Sequence, residues 1–465
     1  MGRASVRTAD IAMRFGIEMA ARKVTVVQPT RIPLRRGQIV LLTGPSGSGK
    51  TSALAEIERS CAGGLLVQRV SFPAEAAIIN RIAPSEALPD AIATLTCCGL
   101  GEAGLWVRTF DGLSEGEKFR ARLARAIALH CRGDAAAPLL CDEFCAVLHR
   151  RAAKAISFNL RKLVARRNLC VVLASAQEDI IADLRPHVVA RFLGRGRCEI
   201  EDRAAGFSRR GRPHDVDVAS CAEDEHPRGL KPAARISFIR RLRIEAGAKG
   251  DYDAFSRMHY RATDELGFVD KVFVLREGRD GETLGIVVYS HAPLELALRN
   301  KATDGWFSRR PDRVNRCLRI VRRLVIHPDV RGCGLGHHLL RKTMPLLGTQ
   351  YVECLAGMGE FNPVFEKAGM ERVGQYEASA SRQAAVAELR RIDVDPGSRE
   401  FVLHVCRRRR VRQIVARVVR DWYAGTTGGG EARVARQSPE FLAQTFRGLI
   451  GARPVYYLWR RNAAA

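Results

Sequence analysis

Three things are scarce in this 465-residue chain. Its 13 cysteines form no Cys-x-x-Cys pair, which excludes the commonest zinc-ribbon and thioredoxin-type spacings. Most of them stand inside apolar runs, and an odd number of thiols with no leader-like stretch after Met1 reads as reduced core cysteine in a cytoplasmic protein. No apolar run is long enough to cross a bilayer, so no integral membrane partner is expected and any membrane role is peripheral. Acidic charge is short too. Against 76 Lys and Arg there are 50 Asp and Glu, which leaves +26 at pH 7. The shortage is concentrated: residues 401–465 hold 13 basic and 3 acidic side chains, a surplus of ten. Blocks of that kind point to a polyanionic partner, with a basic surface serving only solubility as the plainer alternative.

What is present begins with "GQIVLLTGPSGSGKTSALAEIE", which has the order strand, glycine loop, helix. The spacing G-x-x-x-x-G-K-T lets successive backbone N–H groups face a β-phosphate. Gly44, Ser46, Gly47, Ser48, Gly49, Lys50, Thr51 and Ser52 line this cradle; Lys50 reaches the β- and γ-oxygens and Thr51 holds Mg²⁺. Further along, "PLLCDEF" is an apolar strand ending in Asp142 and Glu143. Asp142 there can hold Mg²⁺, and Glu143 can orient an attacking water. Between the two, "LSEGEKFRARLARAIAL" predicts a helix with Phe119, Leu123, Ala126 and Ile127 on one face.

This ordered trio resembles the ABC ATPase family: a P-loop, an LSGGQ-like signature and an acidic strand end. The resemblance covers about residues 1–205 and implies ATP and Mg²⁺ as ligands. It gives Ser114 and Gly116 the task of capping ATP held by a second copy, hence a homodimer. Departures are visible. Glu115 and Glu117 occupy signature positions as in soluble DNA-repair members, His149 stands where an Asp is usual, and Gln177 replaces the switch histidine. Gln177 can hydrogen-bond a γ-phosphate but carries no proton at neutral pH, so ATP serving as a clamp is plausible. Phe15 and Gln68 are the candidates for adenine stacking and for the family's glutamine loop. The short stretch before the signature speaks against a transporter subunit.

Residues 206–235 mix Gly, Pro and both charges without an apolar period, as a linker does. A second glycine loop then appears in "LVIHPDVRGCGLGHHLLRKT", after a strand and before a helix. With "EFNPVFEKAGM" downstream, it resembles the GNAT acyltransferase family. The resemblance implies that amides around Gly332, Cys333, Gly334, Leu335 and Gly336 cradle the pyrophosphate of acetyl-CoA or another acyl-CoA. Arg331 opens that loop and Asn362 lies beside the pantetheine.

The expected fold is therefore α/β: an ABC-type P-loop ATPase domain, then a GNAT-like acyltransferase domain over 236–376. A basic extension over 377–465 follows, its "RPVYYLWRR" closing the second sheet. The two glycine loops together resemble predicted fusions of an ABC-type ATPase with an acetyltransferase. Where that family often places an acidic tyrosine, Phe365 stands here. Glu353 is the candidate general base, or equally a solvated surface glutamate; Tyr351 and Tyr376 are candidate acids, and Cys333 is a small loop residue. "RMHYRATDELGF", with His259 and Tyr260, is weakly similar to Mom-type phage acyltransferases that modify DNA bases. The helix-like "RRRRVRQIVARVVRDWY" can offer arginines to RNA or DNA phosphates; a solvated surface helix and a membrane-surface helix are its alternatives. The reading that results is ATP-dependent acyl transfer to an amine on nucleic acid. Its rivals are a DNA-repair-like ATPase clamp with a non-catalytic second half, and an ATP-regulated acetyltransferase of proteins or small molecules.

Overall fold

In the computed structural model the chain forms two compact units, Met1–Arg240 with Pro328–Cys333, and Arg241–His327 with Gly334–Ala465. The structure describes residues 6–16, 30–61, 63–84, 87–132, 137–194, 196–203, 236–258, 266–278, 281–377, 379–426, 430–451 and 453–461. The linker expected over 206–235 and the pair His259–Tyr260 lie outside the described residues.

The first unit is built on six strands: β1 Ile39–Thr43, β2 Leu65–Leu66, β3 Leu139–Cys141, β4 Val171–Ser175, β5 Val188–Gly194 and β6 Arg197–Asp202. Their order is β2-β3-β4-β1-β5-β6, parallel throughout except for the β5–β6 pair. β1 and β4 are continuous apolar runs with every residue buried, as a parallel sheet covered on both faces requires. Residues on β6 alternate instead between exposed and half-buried, as at an edge. The helix predicted after residue 113 runs Glu115–His130 and buries Leu123, Ala126 and Ile127; Phe119 is half-buried and meets Phe144 edge-on at 6.2 Å. Parallel strands end on the same side, so the chain leaving β1, β3 and β4 emerges along one rim of this sheet.

Seven strands form the second unit's sheet: β7 Leu242–Gly247, β8 Val269–Glu277, β9 Thr283–Ser290, β10 Leu318–Ile326, β11 Tyr351–Ala356, β12 Glu371–Gln375 and β13 Val455–Arg460. The order is β12-β13-β11-β10-β9-β8-β7. β7 to β10 make an antiparallel meander, β10 and β11 run parallel, and β13 pairs antiparallel with both β11 and β12. The basic tail expected over 377–465, with "RPVYYLWRR" as a closing strand, contributes helices between β12 and β13, two strands that are neighbours in the sheet. Among the described residues, five helices make this excursion: Ala380–Arg390, Phe401–Arg407, Arg409–Thr426, Gly430–Ala435 and Pro439–Gly451. They share a core that includes Leu389, Phe401, Val415 and Phe446, with the two phenylalanine rings 5.8 Å apart.

Phe446→Ala should remove about 3–5 kcal/mol from the helical excursion, since the ring is wholly buried. Hydrogen exchange is expected to speed up in the helices around residues 401–426 while β1 and β4 stay protected. Equal loss of protection in both units would show that the excursion is not a local core.

Candidate functional site

The loop after β1 is shaped by glycine. Gly44, Gly47 and Gly49 have φ of 139°, 75° and 105°, and a Cβ on Gly44 would collide with the carbonyl oxygen of Phe192 on β5. Gly49 caps the helix Lys50–Ser60, whose free N–H groups therefore open onto the loop. The Lys50 ammonium folds back onto the carbonyl oxygens of Gly44 (2.8 Å) and Pro45 (2.6 Å). Burial holds Lys50 below its usual pKa, against the upward pull of Asp142 and Glu143, so both carboxylates stand within electrostatic reach of it. Ser48 Oγ is buried with no hydrogen-bond partner among the described residues. Ser46, Thr51 and Ser52 are exposed.

Asp142 and Glu143 leave the end of β3. Glu143 N donates to Asp142 Oδ1 (2.9 Å), and Glu143 itself is exposed with φ 45°. Gln68 grips the Asp142 backbone from both sides, its amide donating to the carbonyl and its Oε1 accepting from the Asp142 N–H at 3.3 Å. That places the candidate glutamine-loop residue beside the acidic pair. Gln177 follows β4 on the same rim. Its N–H donates to Ser175 Oγ at 3.2 Å, and its buried Oε1 has no partner among the described residues. The Lys50 ammonium, the Ser48 hydroxyl and the row of helix N–H groups can donate to phosphate oxygens, while Gln177 Oε1 can accept from water or coordinate a cation.

Ser114 caps the helix Glu115–His130 in a reciprocal box with Glu117: its N–H donates to Glu117 Oε2 (2.8 Å), and its hydroxyl accepts from Glu117 N (3.4 Å). A Cβ on Gly116 would come within 3.1 Å of Leu148. No hydrogen bond joins Ser114 or Gly116 to the glycine loop among the described residues. His149 caps the helix Arg150–Arg167, its Nδ1 accepting from Arg151 N at 3.4 Å. Phe15, proposed to stack on adenine, is 75% exposed on the helix Val6–Phe15, which buries none of its residues.

The second glycine loop is divided between the units. Arg331, Gly332 and Cys333 belong to the first. The Arg331 guanidinium is not open to a ligand: it donates to Gly101 O (3.1 Å) and lies 3.6 Å from Glu102. Asn159 donates to the Arg331 carbonyl (3.2 Å) and Lys162 to that of Gly332 (3.3 Å). Burial pushes the Cys333 thiol up to about 12, which removes it as a nucleophile. In the second unit Gly334, φ 85°, caps the helix Leu335–Thr343, and Gly336 packs so closely that a Cβ would sit 3.0 Å from Val364. Asn362 is exposed.

Glu353 is no solvated glutamate. It stands on β11 with 0% exposure, accepts from the Tyr456 hydroxyl at 2.8 Å and faces Arg299, also 0% exposed, at 3.5 Å. Burial raises its carboxyl to about 7 in spite of Arg299 and Tyr456. Arg299 donates in addition to the carbonyls of Pro293 and Leu294, all at 2.8 Å. Tyr376 accepts from Leu298 N at 3.1 Å, and burial raises its pKa, with the Glu353 charge adding to the rise. Tyr351 instead packs against Phe307 and Trp306. Sequence reading missed Arg299 and Tyr456; the signal was a polar residue within an otherwise apolar strand, "VYYLW". On the opposite face of β13, Tyr457 lies tilted against Phe365 with centroids 5.1 Å apart, and its one hydroxyl proton is shared between Gly359 O at 3.1 Å and Glu366 Oε1 at 3.0 Å.

No protein-family model and no curated protein sequence matches this chain. Among solved structures, the chain is similar to a dimeric ATP-binding cassette, MJ0796, in a post-hydrolysis state bound to ADP and Pi. Identity is 16%, the TM-score 0.32, and the match covers 40% of this chain and 94% of that one. A cassette named cbiO1 from Clostridium perfringens, part of an ABC transporter complex, matches at 15% identity and TM-score 0.31, over 39% of this chain and 84% of the other. No described helix is long and apolar enough to cross a membrane.

Two outcomes follow from this geometry. Gly44→Ala should lower the melting temperature of the first unit in calorimetry, because the added methyl meets the Phe192 backbone and the loop has to move. For Glu353, a folded value near 7 against an ordinary 4.5 means the folded state holds the extra proton between those pH values. Its contribution to stability is full below pH 4.5 and is lost as pH rises through 7, about 3 kcal/mol in all. Urea titrations at pH 4.5 and 7.5 should show that Glu353→Gln reduces this fall. A fall of unchanged size would place the titration elsewhere.

Proposed function

We propose that the chain couples an ABC-type ATPase to a GNAT-like acyltransferase and moves an acetyl or other acyl group from acyl-CoA to an amine on RNA or DNA. The ATPase part is supported by the single rim that carries the Gly44–Thr51 loop, Gln68, Asp142, Glu143 and Gln177. ATP bound there would supply the energy of phosphoanhydride cleavage. Lys50 and the loop amides would hold its phosphates, and Thr51 and Asp142 its Mg²⁺. Glu143 would orient water. Gln177 can accept or donate a hydrogen bond without taking a proton, which suits a slow clamp. Two copies facing one another would bring Ser114 and Gly116 to the partner's nucleotide.

The acyl-transfer part rests above all on how β10 and β11 part. They pair for three residues, Leu318–Ile320 against Tyr351–Glu353; beyond that β10 pairs only with β9, across an irregularity between Val321 and Arg323, and β11 only with β13. A pantetheine would enter where these two strands part, and Gly334 with the helix Leu335–Thr343 would offer N–H groups to its diphosphate. The substrate amine attacks the thioester carbonyl carbon, the C–S bond breaks, the amine gives up a proton, and the thiolate leaves as a thiol. Glu353, held near 7 by burial and ending the paired segment, is the group suited to take that proton directly or through water.

The ATPase clamp with a non-catalytic second unit keeps one specific support. Glu353 is fully buried and engaged, and Phe365 offers no hydroxyl.

Labelled acetyl-CoA and Mg-ATP, incubated with the protein and with total RNA, duplex DNA or a protein mixture, test both readings. Label is expected in a nucleic-acid fraction, lost with Gly334→Glu and reduced with Lys50→Ala. No label in any fraction, with ATP hydrolysis stimulated by nucleic acid, would favour the clamp. Label confined to protein would move the acceptor.

A further inference from the structure

A cleft of about 590 Å³ opens in the helical excursion between the helices Ala380–Arg390, Arg409–Thr426 and Gly430–Ala435. One face of the long helix lines it with Arg410, Gln413, Arg417 and Arg420. These positions lie three or four residues apart, so they form a continuous row about 15 Å long at 1.5 Å per residue. The facing acids are Glu388, which pairs with Arg417 at 2.7 Å, and Glu431, 3.6 Å from Arg420. Asp421 lies 3.7 Å from Arg420. Arg410 makes no hydrogen bond or ion pair with the described residues, and Arg407, Arg408 and Arg409 extend the exposed basic surface beyond it.

We infer that this arginine-lined cleft binds the phosphate backbone of a nucleic acid. The same helix decides against its main competitor. An amphipathic helix binds a membrane surface by burying its apolar face among lipid chains. Here Val411, Ile414, Val415, Val418 and Val419 are already buried in the excursion's own core. Only the polar face remains outward. It offers planar, permanently charged guanidinium groups in a row, with an amide among them, and such groups recognise phosphate oxygens in pairs. The three exposed ion pairs do not block this, because surface pairs contribute little to stability. The row is long enough for several successive phosphates at about 3.4 Å of rise per strand. Recognition of this kind is blind to sequence, so the cleft holds and orients the polymer while selection of a base falls elsewhere.

The choice of nucleic acid as partner rests on the proposed acceptor, but its test reads binding and not transfer. Fluorescence anisotropy with a labelled single-stranded RNA and a labelled DNA duplex is followed from 50 to 200 mM salt. The variant Arg410→Gln/Arg417→Gln/Arg420→Gln is compared with a charge-matched control, Arg31→Gln/Arg59→Gln/Arg108→Gln, in exposed positions of the first unit. The cleft variant should bind about tenfold more weakly at 100 mM salt, with the log–log salt slope reduced by about 2, while the control keeps both. Matching melting curves by circular dichroism establish that both variants are folded. No binding by the native protein, an unchanged cleft variant, or equal loss in the control would overturn the inference. So would a cleft variant that releases phosphatidylserine vesicles but retains RNA and DNA. Binding that depends on the cleft, in a protein that transfers no acyl group, would leave this inference standing and remove the acyltransferase.

Discussion

A strand hydrogen-bonded along both edges and apolar on both faces can carry chemistry only at its ends. β1 is such a strand, with all five residues buried between β4 and β5. Polar groups along its length would be left without partners, so function collects where the chain turns out of the sheet. The turn has to be sharp and has to pass close to Phe192, and Gly44 meets both demands. β10 faces the same constraint with a different solution. It pairs with β9 from Ile320 to Ile326 but with β11 over three residues only, so the two parallel strands part in the middle of the sheet. One unit thus turns its chain sharply beyond a strand's end, and the other parts two strands within its sheet.

How much of this was legible in the sequence depends on distance along the chain. The Gly44–Thr51 loop was readable because its geometry is decided by eight adjacent residues. The helix after Ser114 was readable because Phe119, Leu123, Ala126 and Ile127 recur on one face within nine residues. Glu353 was not. Its burial is set by Arg299, 54 residues before it, and Tyr456, 103 residues after it, and a glutamate in a short strand looks the same whether it faces water or arginine. Arg331 misled for the same reason. Within "RGCGLG" it reads as the start of an anion loop, yet its guanidinium is taken by Gly101 and Glu102, some 230 positions earlier. The basic helix gave its period plainly, but that its apolar side would be spent inside a separate bundle became visible only with the packing.

Charge in the two units is managed in opposite ways. On the first unit's rim, Lys50 is parked on carbonyl oxygens while the carboxylates of Asp142 and Glu143 stand within electrostatic reach. Around Glu353, burial has outweighed a guanidinium 3.5 Å away and left the carboxyl near the pH of a cell, where it can hold or release a proton at little cost. The helical excursion keeps Arg407, Arg409 and Arg410 exposed to water, while Arg417 and Arg420 pair with Glu388 and Glu431.

The place of β13 has a consequence for biosynthesis. β11 and β12 leave the ribosome well before the strand that joins them, and the 79 residues from Tyr376 to Pro454 come between. At roughly 5–20 residues per second, the gap lasts about 4 to 16 s. During that time two strand edges stand open, each a template for pairing with another chain. The helical bundle is made of contacts local in sequence and can fold inside the interval, which brings β12 and β13 close before they pair. A bundle slowed by mutation would lengthen the exposure, so its folding rate governs how much of the newly made protein reaches its final sheet and how much aggregates.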